Sequence, residues 1–172
     1  MNHNQQRLCP HRKLWDFFYP ARHRRAFFIK RYPMMQMTLI TNPDTSGRLA
    51  LASKIARVVY AQTGAVSLSL VEAFTSMIKN ISDQSSVDIQ NIISDSNLFP
   101  ALEETNIYHE RLFVPSVSRG FQMCLRTANR MLAGLLPDKC YGATKYHYAD
   151  TIPDWALSRG YIADIDGILF YT

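Results

Sequence analysis

The segment Tyr161-Ile-Ala-Asp-Ile-Asp-Gly-Ile-Leu-Phe-Tyr-Thr172 decides the fold class of this chain. Two runs rich in β-branched and aromatic residues, 161–165 and 168–172, flank the dipeptide Asp166-Gly167. That dipeptide tolerates the positive φ angles of a tight type I′ turn. The segment therefore predicts a β-hairpin.

A third strand is predicted just upstream, over residues 143–148. Successive side chains of a strand point to opposite faces of the sheet. Thr144, Tyr146 and Tyr148 are therefore expected on one face, and Lys145 and His147 on the other. Together with the hairpin, this strand would form a small antiparallel sheet near the C-terminal end of the sequence.

The residues before the strands have a helical period instead. A first helix is predicted from Thr45 or Ser46, which can cap it, to about Gln62, and Gly64 supplies a stop. Gln62 ends a stripe of residues that is otherwise apolar, because it lies three or four positions after its neighbours on that face: Leu51, Ile55 and Val58.

Three further segments complete the helical part of the prediction. A second helix is expected over residues 67–80 and a shorter one over 87–94. The prolines between residues 97 and 117 disfavour a long helix or strand in that stretch. The last helix would start at Ser118 and end before Pro137, with an apolar stripe at Phe121, Leu125, Ala128, Met131 or Leu132, and Leu135. The fold class is therefore α+β, with helices packed against a small sheet.

The charge distribution divides the chain into two parts. Residues 1–36 hold eight Lys or Arg against one acid, a net charge of +7, whereas the whole chain of 172 residues has +5. We therefore predict a basic, aromatic and disordered N-terminal extension over 1–36 and one globular domain over 37–172. The extension has a composition that suits anionic membrane surfaces or nucleic acid. No nucleic-acid partner is expected for the main domain.

Composition also excludes several classes of protein. No apolar run reaches the roughly 20 residues that cross a bilayer, and none near the N-terminus matches a signal-peptide core. A cytoplasmic location is the default expectation. Three widely spaced cysteines, Cys9, Cys124 and Cys140, do not form a disulfide framework or a zinc motif. Histidines at metal-ligand spacing are absent, so neither a metal nor a cofactor is expected.

The main domain contains a series of motifs in a characteristic order. They are Ala56-Arg-Val-Val-Tyr-Ala-Gln-Thr-Gly64, Phe121-Gln-Met-Cys-Leu-Arg126, Arg130-Met-Leu-Ala-Gly134, Gly142-Ala-Thr-Lys-Tyr-His147, Pro153-Asp-Trp-Ala156 and Phe170-Tyr171. By its order and spacing, this series resembles the SleB-like cell wall hydrolases, and the similarity covers about residues 50–172.

The resemblance implies a lysozyme-like domain that cuts the glycan strands of peptidoglycan, as a glycosidase or lytic transglycosylase acting as a monomer at the cell wall. In the family the first helix ends in Tyr-Ala-Glu, and the glutamate is the catalytic acid. The matching residues here are Tyr60, Ala61 and Gln62. An amide cannot protonate the glycosidic oxygen, and loss of general acid–base help typically costs about 10² to 10⁴-fold in rate.

The resemblance assigns the catalytic position to Gln62 and a substrate groove to six other residues: Tyr60, Gln122, Tyr146, His147, Trp155 and Tyr171. Each has a structural alternative. Gln62 would then be a helix-terminal amide bonded to backbone, His147 a packed strand residue, and Trp155 a core anchor rather than a sugar platform. Only one of Phe170 and Tyr171 can face the cleft, because they alternate across a strand.

No other carboxylate is an obvious replacement for the missing acid. Glu72 lies about 200° around its helix from the apolar stripe, which predicts a solvated face. Glu103 and Glu104 are expected to be loop charges. Two alternatives to an active hydrolase therefore remain: a peptidoglycan-binding pseudoenzyme, and a binder of anionic surfaces or nucleic acid through residues 1–36.

Overall fold

The computed structural model describes residues 45–172. The predicted basic extension over 1–36, its proposed binding role and the boundary at residue 37 lie outside these residues. The described part is an α+β domain, as the sequence predicts, with four α-helices followed by a three-stranded antiparallel sheet. None of the helices in this part of the chain is long and apolar enough to cross a membrane.

Helix α1 (Thr45–Thr63) and helix α2 (Leu68–Ser85) begin where the sequence predicts. Gly64 ends α1 in the left-handed region at φ 59°. The Ser67 hydroxyl caps α2 by accepting from the Leu70 N–H at 3.1 Å. A short helix α3 (Ile89–Ile92) follows, and two 3-10 turns, Pro100–Leu102 and His109–Phe113, occupy the stretch that the prolines kept irregular.

Helix α4 (Arg119–Leu132) ends earlier than predicted. Gly134 takes a left-handed φ of 70° and stops the helix before Pro137. Leu135 consequently lies outside the helix and is exposed, and Cys124 rather than Leu125 is fully buried on the core stripe. The stop signal at Gly134 acts before the proline, which explains the difference.

The sheet consists of β1 (Lys145–Tyr148), β2 (Ala163–Ile165) and β3 (Ile168–Tyr171) in the order β1-β3-β2. The predicted hairpin is confirmed, with Asp166 and Gly167 at φ 52° and 76° in the turn between β2 and β3. Both flanking strands pair antiparallel with β3. Because β3 is central, no strand among residues 45–172 lies beside the outer edge of β1.

The core lies between the helices and one face of this sheet. Helix α1 packs on α2 and α4, and α2 packs on α4. The largest fully buried side chains are Phe74, Phe99, Phe121 and Phe170. Phe170 contacts Phe74 edge to face at 5.5 Å between centroids, so the central strand is fixed against α2.

Candidate functional site

A groove of about 460 Å³ follows the outer edge of β1. All four residues of β1 line one wall. Asn97, Leu98 and Pro100 line the opposite wall, and Thr151, Pro153 and Trp155 close one end. A groove of this size accommodates a small organic ligand, since ligand pockets in proteins are typically about 300 to 1,000 Å³.

Tyr146 anchors the inner face of β1 to the core. Its ring lies 4.6 Å from the Phe74 ring centroid, edge to face, and its hydroxyl donates to the Leu98 carbonyl at 2.9 Å. Burial raises the pKa of Tyr146 well above its usual range. The hydroxyl therefore stays protonated and holds the two walls of the groove together.

His147 lies on the other face of β1 and is buried. Its Nδ1 lies 2.8 Å from the Tyr148 carbonyl oxygen, and its Nε2 lies 2.9 Å from the Tyr171 hydroxyl. A carbonyl oxygen only accepts, so the neutral ring carries its proton on Nδ1 and accepts from Tyr171 through Nε2. His147 thus lines the groove and is also held in place by hydrogen bonds.

Trp155 stands at the end of the groove with 36% of its surface exposed. Its ring packs edge to face on Tyr171 at 5.2 Å and on His147 at 5.8 Å between centroids. Lys145 places its Nζ 5.6 Å from the Trp155 ring centroid. Tyr171 itself is buried behind His147 and Trp155, so it supports the groove without lining it.

Gln62 is the next-to-last residue of α1 and is 4% exposed. The Tyr148 hydroxyl lies 3.1 Å from the Gln62 backbone oxygen and 3.2 Å from Oε1. Nε2 of the same amide has no hydrogen-bond partner among the described residues. A buried polar group without a partner costs about 1 to 3 kcal/mol. Within the described residues, the Gln62 side chain thus bonds only to Tyr148.

Arg111 and Tyr108 lie near this position and were not identified from the sequence. The Arg111 guanidinium carbon lies 4.1 Å from the Tyr108 ring centroid, and its Nη1 lies 3.5 Å from the Ala61 carbonyl oxygen. Burial and the neighbouring Tyr108 raise the pKa of Tyr148, whereas Arg111 lowers it, and the net direction is upward. A cation here also complements the carbonyl end of α1.

Tyr60 and Gln122 do not line the groove. Tyr60 lies against the start of α4, where a Cβ atom on Gly120 would come within 2.9 Å of its ring. Gln122 donates to the Ser116 carbonyl at 2.7 Å. The structure therefore brings Tyr146, His147 and Trp155 together, with Tyr171 behind them. Gln62 does not line the groove itself and reaches it only through Tyr148, and Tyr60 and Gln122 lie elsewhere.

Glu72 is not on a solvated face, contrary to the expectation from the helical wheel. Helix α2 is covered on several sides, and Glu72 is buried in an ion pair with Arg130 at 2.7 Å. Glu103 and Glu104 are exposed, as expected of loop charges. No carboxylate is among the groove-lining residues that the structure describes.

Two other kinds of reactive group, metal-binding clusters and cysteine thiols, also bear on what this domain can catalyse. Within residues 45–172, no three His, Cys, Asp or Glu side chains converge where they would hold a metal ion. Burial raises the pKa of the Cys124 thiol to about 12, so that thiol is a poor nucleophile at neutral pH. The groove as it stands offers hydrogen bonds and aromatic surface.

Comparisons of the chain with protein-family models, with curated proteins and with solved structures found no match.

Proposed function

We propose that the described domain binds the glycan strands of peptidoglycan and is a cell wall hydrolase of the SleB-like type, with Gln62 at the position of the catalytic acid. One observation supports this most directly. Gln62 is buried at the end of α1, is bonded to the groove residue Tyr148, and has an amide nitrogen without a partner in the described chain. Buried polar groups without a partner are rare in folded proteins, and a functional role is one of their explanations.

The chemistry of glycan cleavage explains why residue 62 matters. A carboxylic acid protonates the glycosidic oxygen as the bond breaks, and the resulting carboxylate can take a proton from the attacking hydroxyl. If the product is an anhydro-sugar, the substrate supplies that hydroxyl and a second carboxylate is unnecessary. The Gln62 amide has no proton to give in the working pH range. We therefore expect this chain to cleave slowly or not at all.

The composition of the groove suits a sugar polymer. Trp155 offers an aromatic surface to the apolar face of a sugar ring, and Asn97 and Thr151 offer polar groups for hydroxyls. Both ring nitrogens of His147 are already bonded, to Tyr171 and to the Tyr148 carbonyl, so His147 offers a fixed ring surface to a ligand instead of a free hydrogen-bonding group.

The test is to compare the chain with the Gln62→Glu variant for release of soluble fragments from purified peptidoglycan. We expect the variant to gain about 10² to 10⁴-fold in rate. Gln122→Glu is the matched control, because it introduces the same carboxyl on α4 away from the groove, and no gain is expected from it. A folded Gln62→Glu protein that cleaves no faster than the Gln122→Glu control would refute the assignment of residue 62.

The amide at residue 62 favours a second candidate function, a pseudoenzyme that holds glycan strands without cutting them. The amide retains hydrogen-bonding groups where the acid would lose its proton. Here the protein should sediment with insoluble peptidoglycan, and Trp155→Ala should release it. If neither the chain nor Gln62→Glu sediments with or cleaves the polymer, both candidate functions are wrong.

A further inference from the structure

The outer edge of β1 presents to the groove backbone groups that no residue of 45–172 pairs. Along an edge strand of an antiparallel sheet, the backbone N–H and C=O groups of successive residues point alternately toward and away from the neighbouring strand. The Ala149 N–H donates to the Gly167 carbonyl, and the Ile162 N–H donates to the Phe170 carbonyl on the opposite side of β3. With the observed register, the backbone N–H and C=O groups of Lys145 and His147 point toward β3, and those of Tyr146 and Tyr148 point away from it.

Three of these outward groups have no partner in the described chain. The Tyr148 carbonyl accepts from the Thr151 N–H at 3.0 Å and from His147. The N–H and C=O of Tyr146 and the N–H of Tyr148 have no hydrogen bond to residues 45–172. An exposed strand edge of this kind is a template for a further strand.

We infer that the groove binds a short extended peptide, which adds to β1 as an antiparallel strand with its carboxyl end at Lys145. A peptide residue opposite Tyr146 would accept from its N–H and donate to its C=O, and the next group along would accept from the Tyr148 N–H. An extended peptide can thus pair all three groups through its own backbone.

Charge sets the direction of the peptide. An antiparallel ligand runs from Tyr148 toward Lys145, so its carboxyl end arrives at the Lys145 side chain. Lys145 is exposed, lines the groove and has no carboxylate within ion-pair distance in the described part of the chain. The apolar walls at Leu98, Pro153 and Trp155 favour small apolar side chains on the ligand.

This inference concerns the strand edge alone and holds whether or not residue 62 takes part in glycan cleavage. It is tested with acetyl-Ala-Val-Ala bearing a free carboxylate, titrated into the full chain and followed by calorimetry and by the amide NMR signals of Tyr146 and Tyr148. We expect saturable binding with shifts at both amides. The same peptide with an N-methyl group on the valine loses one pairing bond and should bind at least about tenfold more weakly.

Lys145→Gln should weaken binding of the carboxylate peptide about three- to fivefold and leave binding of its C-terminal amide unchanged. Lys139→Gln is the matched control, because Lys139 is an exposed lysine outside the groove. The inference is overturned if the N-methyl peptide binds as tightly as the unmethylated one, or if Lys145→Gln binds the carboxylate peptide as tightly as the unsubstituted protein does. It is also overturned if the peptide does not bind at millimolar concentration. Peptide binding without any glycan binding or cleavage would instead count against the proposed function alone.

Discussion

The hydroxyl of Tyr148 bonds both the backbone oxygen and the side-chain Oε1 of Gln62, at 3.1 and 3.2 Å. The bond joins the carbonyl end of α1 to the strand that borders the groove. Since Tyr148 has one proton to donate, the two oxygens share it. The position of residue 62 relative to the groove therefore depends on β1 as well as on its own helix.

Replacing Gln62 with leucine should stabilise the protein. The change removes a buried amide nitrogen that has no partner in the described chain, and Tyr148 keeps the backbone oxygen of residue 62 as its acceptor. We expect the free energy of unfolding to rise by about 1 kcal/mol in urea denaturation. Gln90→Leu, at an exposed glutamine, should change it by less than about 0.5 kcal/mol. A loss of stability in Gln62→Leu would show that the amide is satisfied.

Gly120→Ala should destabilise the contact between α1 and α4. The new Cβ would lie 2.9 Å from Tyr60 Cε2 and 3.0 Å from the Ala65 Cβ, and overpacking of this kind costs about 1 to 3 kcal/mol. Gly47→Ala is the control, because a Cβ there meets nothing within 4 Å and α1 should gain about 0.5 to 1 kcal/mol. Thermal unfolding of both variants measures the contrast. If Gly120→Ala is as stable as Gly47→Ala, the close contact between Gly120 and Tyr60 is contradicted.

Arg130→Gln should cost more than the loss of an ordinary surface charge. Glu72 is only 12% exposed and would lose its ionic partner, while the 45% exposure of Arg130 reduces the effect through solvent screening. We expect a loss of about 1 to 3 kcal/mol in urea denaturation. Lys79→Gln, which breaks the exposed pair with Asp83, should cost less than about 0.5 kcal/mol. Similar values for the two variants would contradict the structural role of Glu72.

Stability should fall above pH 10 because of Tyr146. Burial raises its pKa in the folded state above the ordinary value of 10.0, so the unfolded chain releases the proton first, and its free energy falls relative to the folded state as the pH rises. The group contributes a slope of about 1.4 kcal/mol per pH unit in that window. In Tyr146→Phe the free energy of unfolding should fall less steeply with pH by that amount, as measured by urea denaturation from pH 9 to 11.5. An unchanged slope would show that the hydroxyl ionises freely.

Local signals predicted most of the secondary structure. The hairpin at Asp166-Gly167 and the stop at Gly64 depend on backbone preferences of adjacent residues, and both are present. The solvation of Glu72 was predicted wrongly, because a helical period shows only one face of a helix. Whether other elements cover the second face depends on tertiary packing, which the period of one segment does not contain.

The candidate site was only partly predictable, because local patterns describe one segment and not the contacts between distant segments. The sequence places His147 on a strand, and Trp155 lies eight residues after it in the short segment that closes the groove. Arg111 reaches the end of α1 from an irregular stretch 50 residues away, and no local pattern indicates such an approach. Tyr60 and Gln122 belong to the motifs that carry the family resemblance, but neither lines the groove, and the position of a side chain relative to a groove depends on tertiary packing.

The strand order β1-β3-β2 has a consequence for biosynthesis. β3 is translated after both of its neighbours, although it lies between them. A nascent chain that has emerged only as far as Ile165 contains β1 and β2 but lacks the strand that pairs with both of them. The wall of the groove that β1 forms can therefore join the sheet only after residues 168–171 have left the ribosome.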